Sequence, residues 1–240
     1  MQEEPFYRKW VNAEDLASFN VVEKETDLLI LADRVLEKEA KELALKYRKD
    51  IEDYIRRYPE FRTSLIPVED DDTAPAIVKD MLQAAISSNV GPMAGVAGAV
   101  SEHVGRGLLK FSTEVIVENG GDIFLKINKP RVLGVFAGKS KFTKRIGIEI
   151  TPQETPIGVC TSSGTVGHSL SFGLTDATII ISKNTALADC AATRVGNMVK
   201  TPADVEKGID CAKAIKGVMG AVIIVGDKLA SWGEVKLVSI

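Results

Sequence analysis

The sequence predicts an α+β fold in which mostly antiparallel strands carry helices packed against them. Three observations support this. All 20 glycines lie at or beyond Gly91, so a helix-rich, charged first third gives way to a turn-rich remainder. Asn119-Gly120-Gly121 separates two apolar runs, a strong hairpin signal. The helical patterns come in blocks and the strands in hairpins, which favours α+β over alternating βαβ units.

The elements follow in order. Asn20–Ala32, with Val21, Val22 and Leu28–Leu31, predicts a strand or hairpin arm. Leu36, Ala40, Leu43, Tyr47, Ile51, Tyr54 and Tyr58 recur at three- and four-residue steps, an amphipathic helix that Pro59 stops. A second helix starts after Asp72 or Thr73, with Pro75 in its first turn, and runs to about Ser88. Gly91-Pro92 separates it from a third, Met93 to about Leu109, whose Ala94, Gly95, Ala97, Gly98 and Ala99 form a small-residue face. Such a face suits close helix packing or the approach of a flat ligand. From Thr113 the period changes to two. Strands are expected over 113–118, 122–128, 132–136, 145–150, 157–161, 178–182 and 221–225. A last pair would be closed by Ser231-Trp232-Gly233 and end with Val235–Val238. Residues 185–199 and 202–215 predict helices.

Composition narrows the function classes. The chain of 240 residues is 45% hydrophobic and 26% charged; at that length a full core can form without disulfides or metal. No Pro/Ser-rich linker divides it, so a single domain over 1–240 is expected. A net charge of −3 and a pI near 5.6 argue against non-specific nucleic-acid binding. No window approaches the roughly 18 apolar residues of a membrane helix. The N-terminus is acidic, without the apolar stretch of a secretory signal. Cys160, Cys190 and Cys211 are odd in number and lack CxxC spacing. A cytoplasmic protein with free thiols, able to form homo-oligomers, is the resulting expectation.

The chemistry concentrates in four segments. Gly158 to Gly173, GVCTSSGTVGHSLSFG, is uncharged and ten of its sixteen residues are Gly, Ser or Thr. Bare backbone and hydroxyls need partners, and Thr161, Ser162, Ser163 and Gly164 can form an anion-binding nest. No Gly-Lys-Ser/Thr end makes it a P-loop, and GxSxG is absent. His168 and Cys160 in this run are the candidate catalytic groups. Asn119, Gly120, Gly121 and Asp122 form a turn that explains itself structurally, yet its bare backbone also lets a ring or phosphate lie against it. Asp189 and Thr193, four apart on a predicted helix, place a carboxylate and a hydroxyl on one face, donors that suit Mg²⁺; by spacing alone a local side-chain hydrogen bond is the plainer explanation. Ala94 and Gly95 complete the candidate ligand contacts.

Taken together, GPMAGVAGAVSE, VENGGDI, CTSSG followed by His168, and Ala188-Asp189-Cys190-Ala191-Ala192-Thr193 resemble the ApbE superfamily, whose best-known members are FAD:protein FMN transferases. The wording ETDLLI, VGPMAGVAGA, ENGGDI and CTSSGTVGHSLSFG is similar to a cytoplasmic branch of it over nearly the whole chain. The resemblance implies a duplicated T-fold-like arrangement with the ligand site between its halves. It implies Mg²⁺ on Asp189 and Thr193, and FAD or FMN against Asn119, Gly120, Gly121, Thr161, Ser162 and His168. Partners would be a flavin or other small phosphorylated ligand and a protein acceptor. The transferases' Gly-Gly-x-Ala-Lys-Gly stretch lacks its lysine here, and His168 is followed by Ser-Leu-Ser-Phe-Gly instead of Ile-x-Asp-Pro. Relatives in methane-producing archaea are implicated in carrying sulfide into homocysteine, which makes a sulfur enzyme or carrier using Cys160 the alternative expectation. A non-catalytic accessory protein is a third.

Overall fold

Two copies of one pattern, strand–strand–helices–strand–strand, lie side by side in a single sheet. In the computed structural model, residues 13–165 and 173–240 are described. The first copy opens with β1 (Ala17–Glu23) and β2 (Thr26–Ala32), continues through α1 (Glu37–Arg57), α2 (Glu60–Thr63), α3 (Ala76–Ser88) and α4 (Val96–Leu108), and closes with β3 (Val115–Asn119) and β4 (Asp122–Lys126). A second, smaller sheet then begins with β5 (Arg131–Gly134) and β6 (Ile146–Ile150). The second copy runs β7 (Ile157–Ser162), β8 (Ala177–Ser182), α5 (Thr185–Met198), α6 (Val205–Ala214), β9 (Val218–Val225) and β10 (Lys228–Gly233), and β11 (Lys236–Ser239) follows. The large sheet has eight strands in the order β1-β2-β3-β4-β7-β8-β9-β10, with every neighbour antiparallel. The α+β class expected from the sequence and the duplicated arrangement implied by the resemblance are both present.

The sheet lies between two layers, and the strand sequences show it. In β2, Leu28 and Ile30 face the helices, while Leu29 and Leu31 face the small sheet of β5, β6 and β11. β8 repeats this with Ile180 on one side and Ile179 and Ile181 on the other. Strands covered on both faces need apolar residues at every position, which is why these segments are continuous apolar runs. β1, at the edge, alternates instead: Phe19 and Val21 are buried and Val22 is exposed.

The helices follow their signals closely. α1 buries Ala40, Ala44, Ile51 and Tyr54 and ends before Pro59. α3 begins directly after Pro75 and is ended by Asn89 in a left-handed conformation, φ 54°. The small-residue segment does not start as one helix: Pro92–Gly95 form a 3-10 turn, and α4 begins at Val96. In the hairpin, Asn119 pairs with Asp122, so Gly120 and Gly121 alone make the turn, with φ of +65° and +104°. That geometry requires positive φ at both central residues and explains the two glycines.

One expectation is corrected. β10 and β11 do not pair with each other; β10 pairs with β9 and β11 with β6 in the other sheet. The Ser231-Trp232-Gly233 signal is not a hairpin turn. Gly233, at φ +82°, sits against the Met219 carbonyl and turns the chain from one sheet to the other. The hairpin there is instead β9–β10, which turns at Gly226, φ +57°. The Asn20–Ala32 arm is likewise two paired strands, reversing at Lys24 with φ 52°. Among the described residues, no helix is long and apolar enough to cross a membrane.

Candidate functional site

Four distant segments meet where the two copies join. β4 of the first pairs with β7 of the second, opposing Asp122 to Cys160. α4 and α5 cross above this junction so closely that a Cβ on Gly98 would come 2.5 Å from the Thr185 carbonyl oxygen and 2.9 Å from the Asp189 Cβ. At Gly95 a Cβ would lie 2.7 Å from the Cys190 Sγ. The small-residue face thus serves helix approach, and at Gly95 and Gly98 α5 occupies the space a ligand would need.

The crossing is fastened by two buried carboxylates, each finishing the other helix. Glu102 of α4 accepts the Thr185 N–H at 2.6 Å with Oε2, at the first residue of α5. Asp189 of α5 accepts the Gly98 N–H at 2.9 Å with Oδ2, in the first turn of α4. Helix N-termini leave unpaired N–H groups and carry partial positive charge, so a carboxylate there is doubly favoured. The sequence motifs do not point to Glu102 as a site residue. A signal is nevertheless present, since it is the only Asp, Glu, Lys or Arg between Gly91 and Gly105.

The hairpin turn is fixed to the same helix end. The Asn119 side-chain amide donates to the Ala97 carbonyl at 3.3 Å, and the Ser101 hydroxyl donates to the Asp122 carbonyl at 2.9 Å. Glu118 accepts the Gly121 N–H at 2.7 Å. Among the described residues, apart from Gly120 and its two chain neighbours, nothing lies within 4 Å of where a Gly120 Cβ would be, so this side of the turn is open.

Asp122 and Asp189 are both buried, at 7% and 8% exposure. Burial pushes the Asp122 carboxyl well above its ordinary range, the Asp189 charge raises it further and that of Glu118 adds to this, while the Cys160 thiol and the Thr161 N–H offset part. Asp189 is pushed up to about 7 by burial, against the lowering by the Gly98 and Ala97 N–H groups. Among the described residues, Oδ1 of Asp122 has no hydrogen-bond partner. Among the same residues, no lysine or arginine forms an ion pair with either carboxylate.

Cys160 is fully buried and donates to the Thr185 carbonyl at 3.3 Å. Burial raises its thiol pKa well above the ordinary value, and the charges of Asp122 and Asp189 raise it further; Cys190 is raised by burial and by the same two charges. A nucleophilic or sulfur-carrying cysteine needs a thiolate and access, and burial opposes both at Cys160.

The hydroxyl-rich run continues along α5. Thr161 and Ser162 are half-buried at the end of β7. A Cβ on Gly196, near the end of α5, would lie 3.7 Å from the Ser162 Oγ. Ser163 Oγ accepts the Thr165 N–H at 3.2 Å, and the Gly164 N–H donates to the Thr175 carbonyl at 2.9 Å. The Ser163–Gly164 backbone is therefore partly committed to its own turn. Thr193, half-buried, lies on α5 one turn beyond Asp189 and one turn before Gly196. Asp122 faces Cys160 across the β4–β7 pairing, Thr161 and Ser162 continue β7, and Asp189 and Thr193 lie one turn apart on α5, which packs against β7. Ala94, in the 3-10 turn that packs against α5, is half-buried. His168 lies outside the described residues.

The arrangement has known relatives. The family model described as AbpE bacteria matches residues 8–230. A UPF0280 protein of Methanocella arvoryzae is 40% identical over 215 residues, 88% of this chain and 86% of its own. One from Methanocaldococcus jannaschii is 40% identical over 221 residues, 90% of each chain. Among solved structures, the apo flavinyl transferase ApbE of Pseudomonas stutzeri aligns with a TM-score of 0.56 at 13% identity, over 91% of this chain and 94% of its own. A mutant of the flavin transferase ApbE from Vibrio cholerae gives 0.55 at 12% identity, over 91% and 97%. The structural likeness shows the fold, and the sequence matches show the family: this chain belongs to the ApbE-like family described as AbpE bacteria, with the UPF0280 proteins as relatives.

Proposed function

We propose that the protein binds a flavin nucleotide or a similar phosphorylated ligand together with Mg²⁺, and acts as an FMN-transferase-like enzyme. One observation carries the reading. Two buried carboxylates, without a basic partner among the described residues and one with an unpaired oxygen, lie beside an open glycine turn where the two copies of the fold meet. Buried like charges are costly unless a proton or a cation joins them. Oxygen donors of this kind fit a hard divalent cation. Asp189 and Thr193 would hold it, and Mg²⁺ bound there would neutralise the charge of a pyrophosphate.

The chain's own residues supply the rest. The Ala97 and Gly98 N–H groups hold the Asp189 carboxylate in one orientation. The Gly120-Gly121 turn leaves room for a flat ring, and the Thr161 and Ser162 hydroxyls give donors for phosphate oxygens. In the transfer, an acceptor hydroxyl attacks the FMN phosphorus, a phosphoester forms, the pyrophosphate link breaks and AMP leaves. The hydroxyl proton passes to a base, for which His168 is the candidate. Catalysis on this scheme is mainly positioning and charge stabilisation.

Thermal shift with FAD and Mg²⁺ tests the reading. The expected result is a rise in melting temperature that needs both components and disappears in Asp189→Ala. Wild-type protein that shows no shift with FAD, FMN or ADP, with or without Mg²⁺, refutes it.

A further inference from the structure

We propose that Asp122 is a third side-chain ligand of the cation, so that the metal ties the first copy of the fold to the second. This rests on the function proposed above. Asp189 and Thr193 both belong to α5 and hence to the second copy; Asp122 opens β4 of the first. Three independent facts place it in the role.

The first is its unpaired oxygen. Asp122 is more than nine-tenths buried, and Oδ1 has no hydrogen-bond partner among the described residues. A buried carboxylate oxygen without a donor costs the full desolvation of that atom, and native proteins retain such atoms mainly where a ligand or ion satisfies them. The second is immobility. The Ser101 hydroxyl holds the Asp122 carbonyl at 2.9 Å, the pairing of Asp122 with Cys160 holds its backbone, and the two glycines before it set the turn. A fixed backbone leaves the side chain a few rotamers, and the one it adopts is buried. The third is the donor environment. The first turns of α4 hold both residues, Gly98 through the Asp189 carboxylate and Ser101 through the Asp122 carbonyl, and among the described residues neither carboxylate has a lysine or arginine ion-pair partner.

A hard cation satisfies all three conditions. It completes Oδ1, offsets the repulsion between the carboxylates and uses donors that the fold already holds still. It also accounts for the placement of the site at the β4–β7 seam, where β4 of the first copy pairs with β7 of the second.

The test is Mn²⁺ binding to the ligand-free protein, followed by electron paramagnetic resonance, in wild type, Asp122→Asn and Asp189→Asn. Asparagine keeps the shape and removes the charge. Asp122→Asn is expected to weaken Mn²⁺ by at least about tenfold, as loss of a supporting group alone can do, while circular dichroism stays unchanged. Asp122→Ser, which leaves space for water, is the second variant should asparagine disturb folding, and the same loss is expected. Wild-type affinity in a folded Asp122 variant, with Asp189→Asn impaired, overturns this assignment and leaves the proposed function standing. Absence of Mn²⁺ binding by the wild type, with or without FAD, removes both.

Discussion

Replacing Asp189 with asparagine should make the metal-free protein more stable at alkaline pH, although it removes a group at the centre of the candidate site. Burial pushes the carboxyl up to about 7 in the folded protein from an ordinary 3.8, because it disfavours the charge. Between those values the folded chain keeps a proton that the unfolded chain has lost. Stability contributed by the group is therefore complete below the ordinary value and is lost as pH rises through the folded one. Each tenfold difference in proton affinity corresponds to about 1.4 kcal/mol. Over the span from about pH 5 to about pH 8 the wild type should lose about 2–3 kcal/mol on this account. The carboxamide of Asp189→Asn would still accept the Gly98 N–H, so the cap on α4 survives while the buried charge is gone. Urea denaturation with a chelator present, at both pH values, measures the difference. The wild-type midpoint should fall with pH and that of Asp189→Asn should fall less, so that the curves separate above neutrality. Parallel midpoints over the whole span would refute the argument.

Other consequences are simpler to check. Gly98→Ala should destabilise by about 1–3 kcal/mol, because its methyl would meet the Thr185 carbonyl at 2.5 Å; a melting temperature equal to wild type would show that the helices can part. Glu102→Ala should cost about 1–2 kcal/mol through loss of the Thr185 N–H partner, with Glu102→Gln recovering most of it in the same denaturation assay. Ellman's reagent should find Cys160 and Cys190 inert in the folded state and Cys211, which is only part-buried, the accessible thiol. Rapid labelling of Cys160 without unfolding would restore it as a candidate nucleophile.

Much of the fold is legible in the sequence because local signals and tertiary needs agree. The Leu36-to-Tyr58 stripe marks α1, Pro75 marks the start of α3, and the glycine pair at 120–121 marks the hairpin. The layering is harder to see. A run such as Leu28–Leu31 states that both faces are covered, but not by what, and the sheet partner of β11 lies far earlier in the chain at Ile146–Glu149. Gly233 reads as a turn in either case, and only packing decides which sheet follows.

The site is legible in its members more than in their duties. Asp189 and Thr193 are four apart on one helix as their spacing implies, yet the sequence does not show that one Asp189 oxygen finishes a helix ninety-one residues away. In the sequence Asp122 is the opening residue of a strand, and burial of its carboxylate follows from the β4–β7 pairing, which is non-local. Cys160 looks reactive beside so many hydroxyls; the depth of β7 beneath α5 makes it a packed thiol. Gly95 and Gly98 serve helix contact, the plainer of the two meanings that small residues allow.

The exchange of carboxylates between α4 and α5 makes the two copies of the fold poor candidates for separate lives. Cut between β4 and β7, each fragment would leave one helix with a bare N–H group and one carboxylate oxygen without its donor. Neither piece should hold its native helix content alone, yet mixing the two should restore it, since each brings what the other lacks. Through Glu102 and Asp189, each copy of the fold is completed by the other.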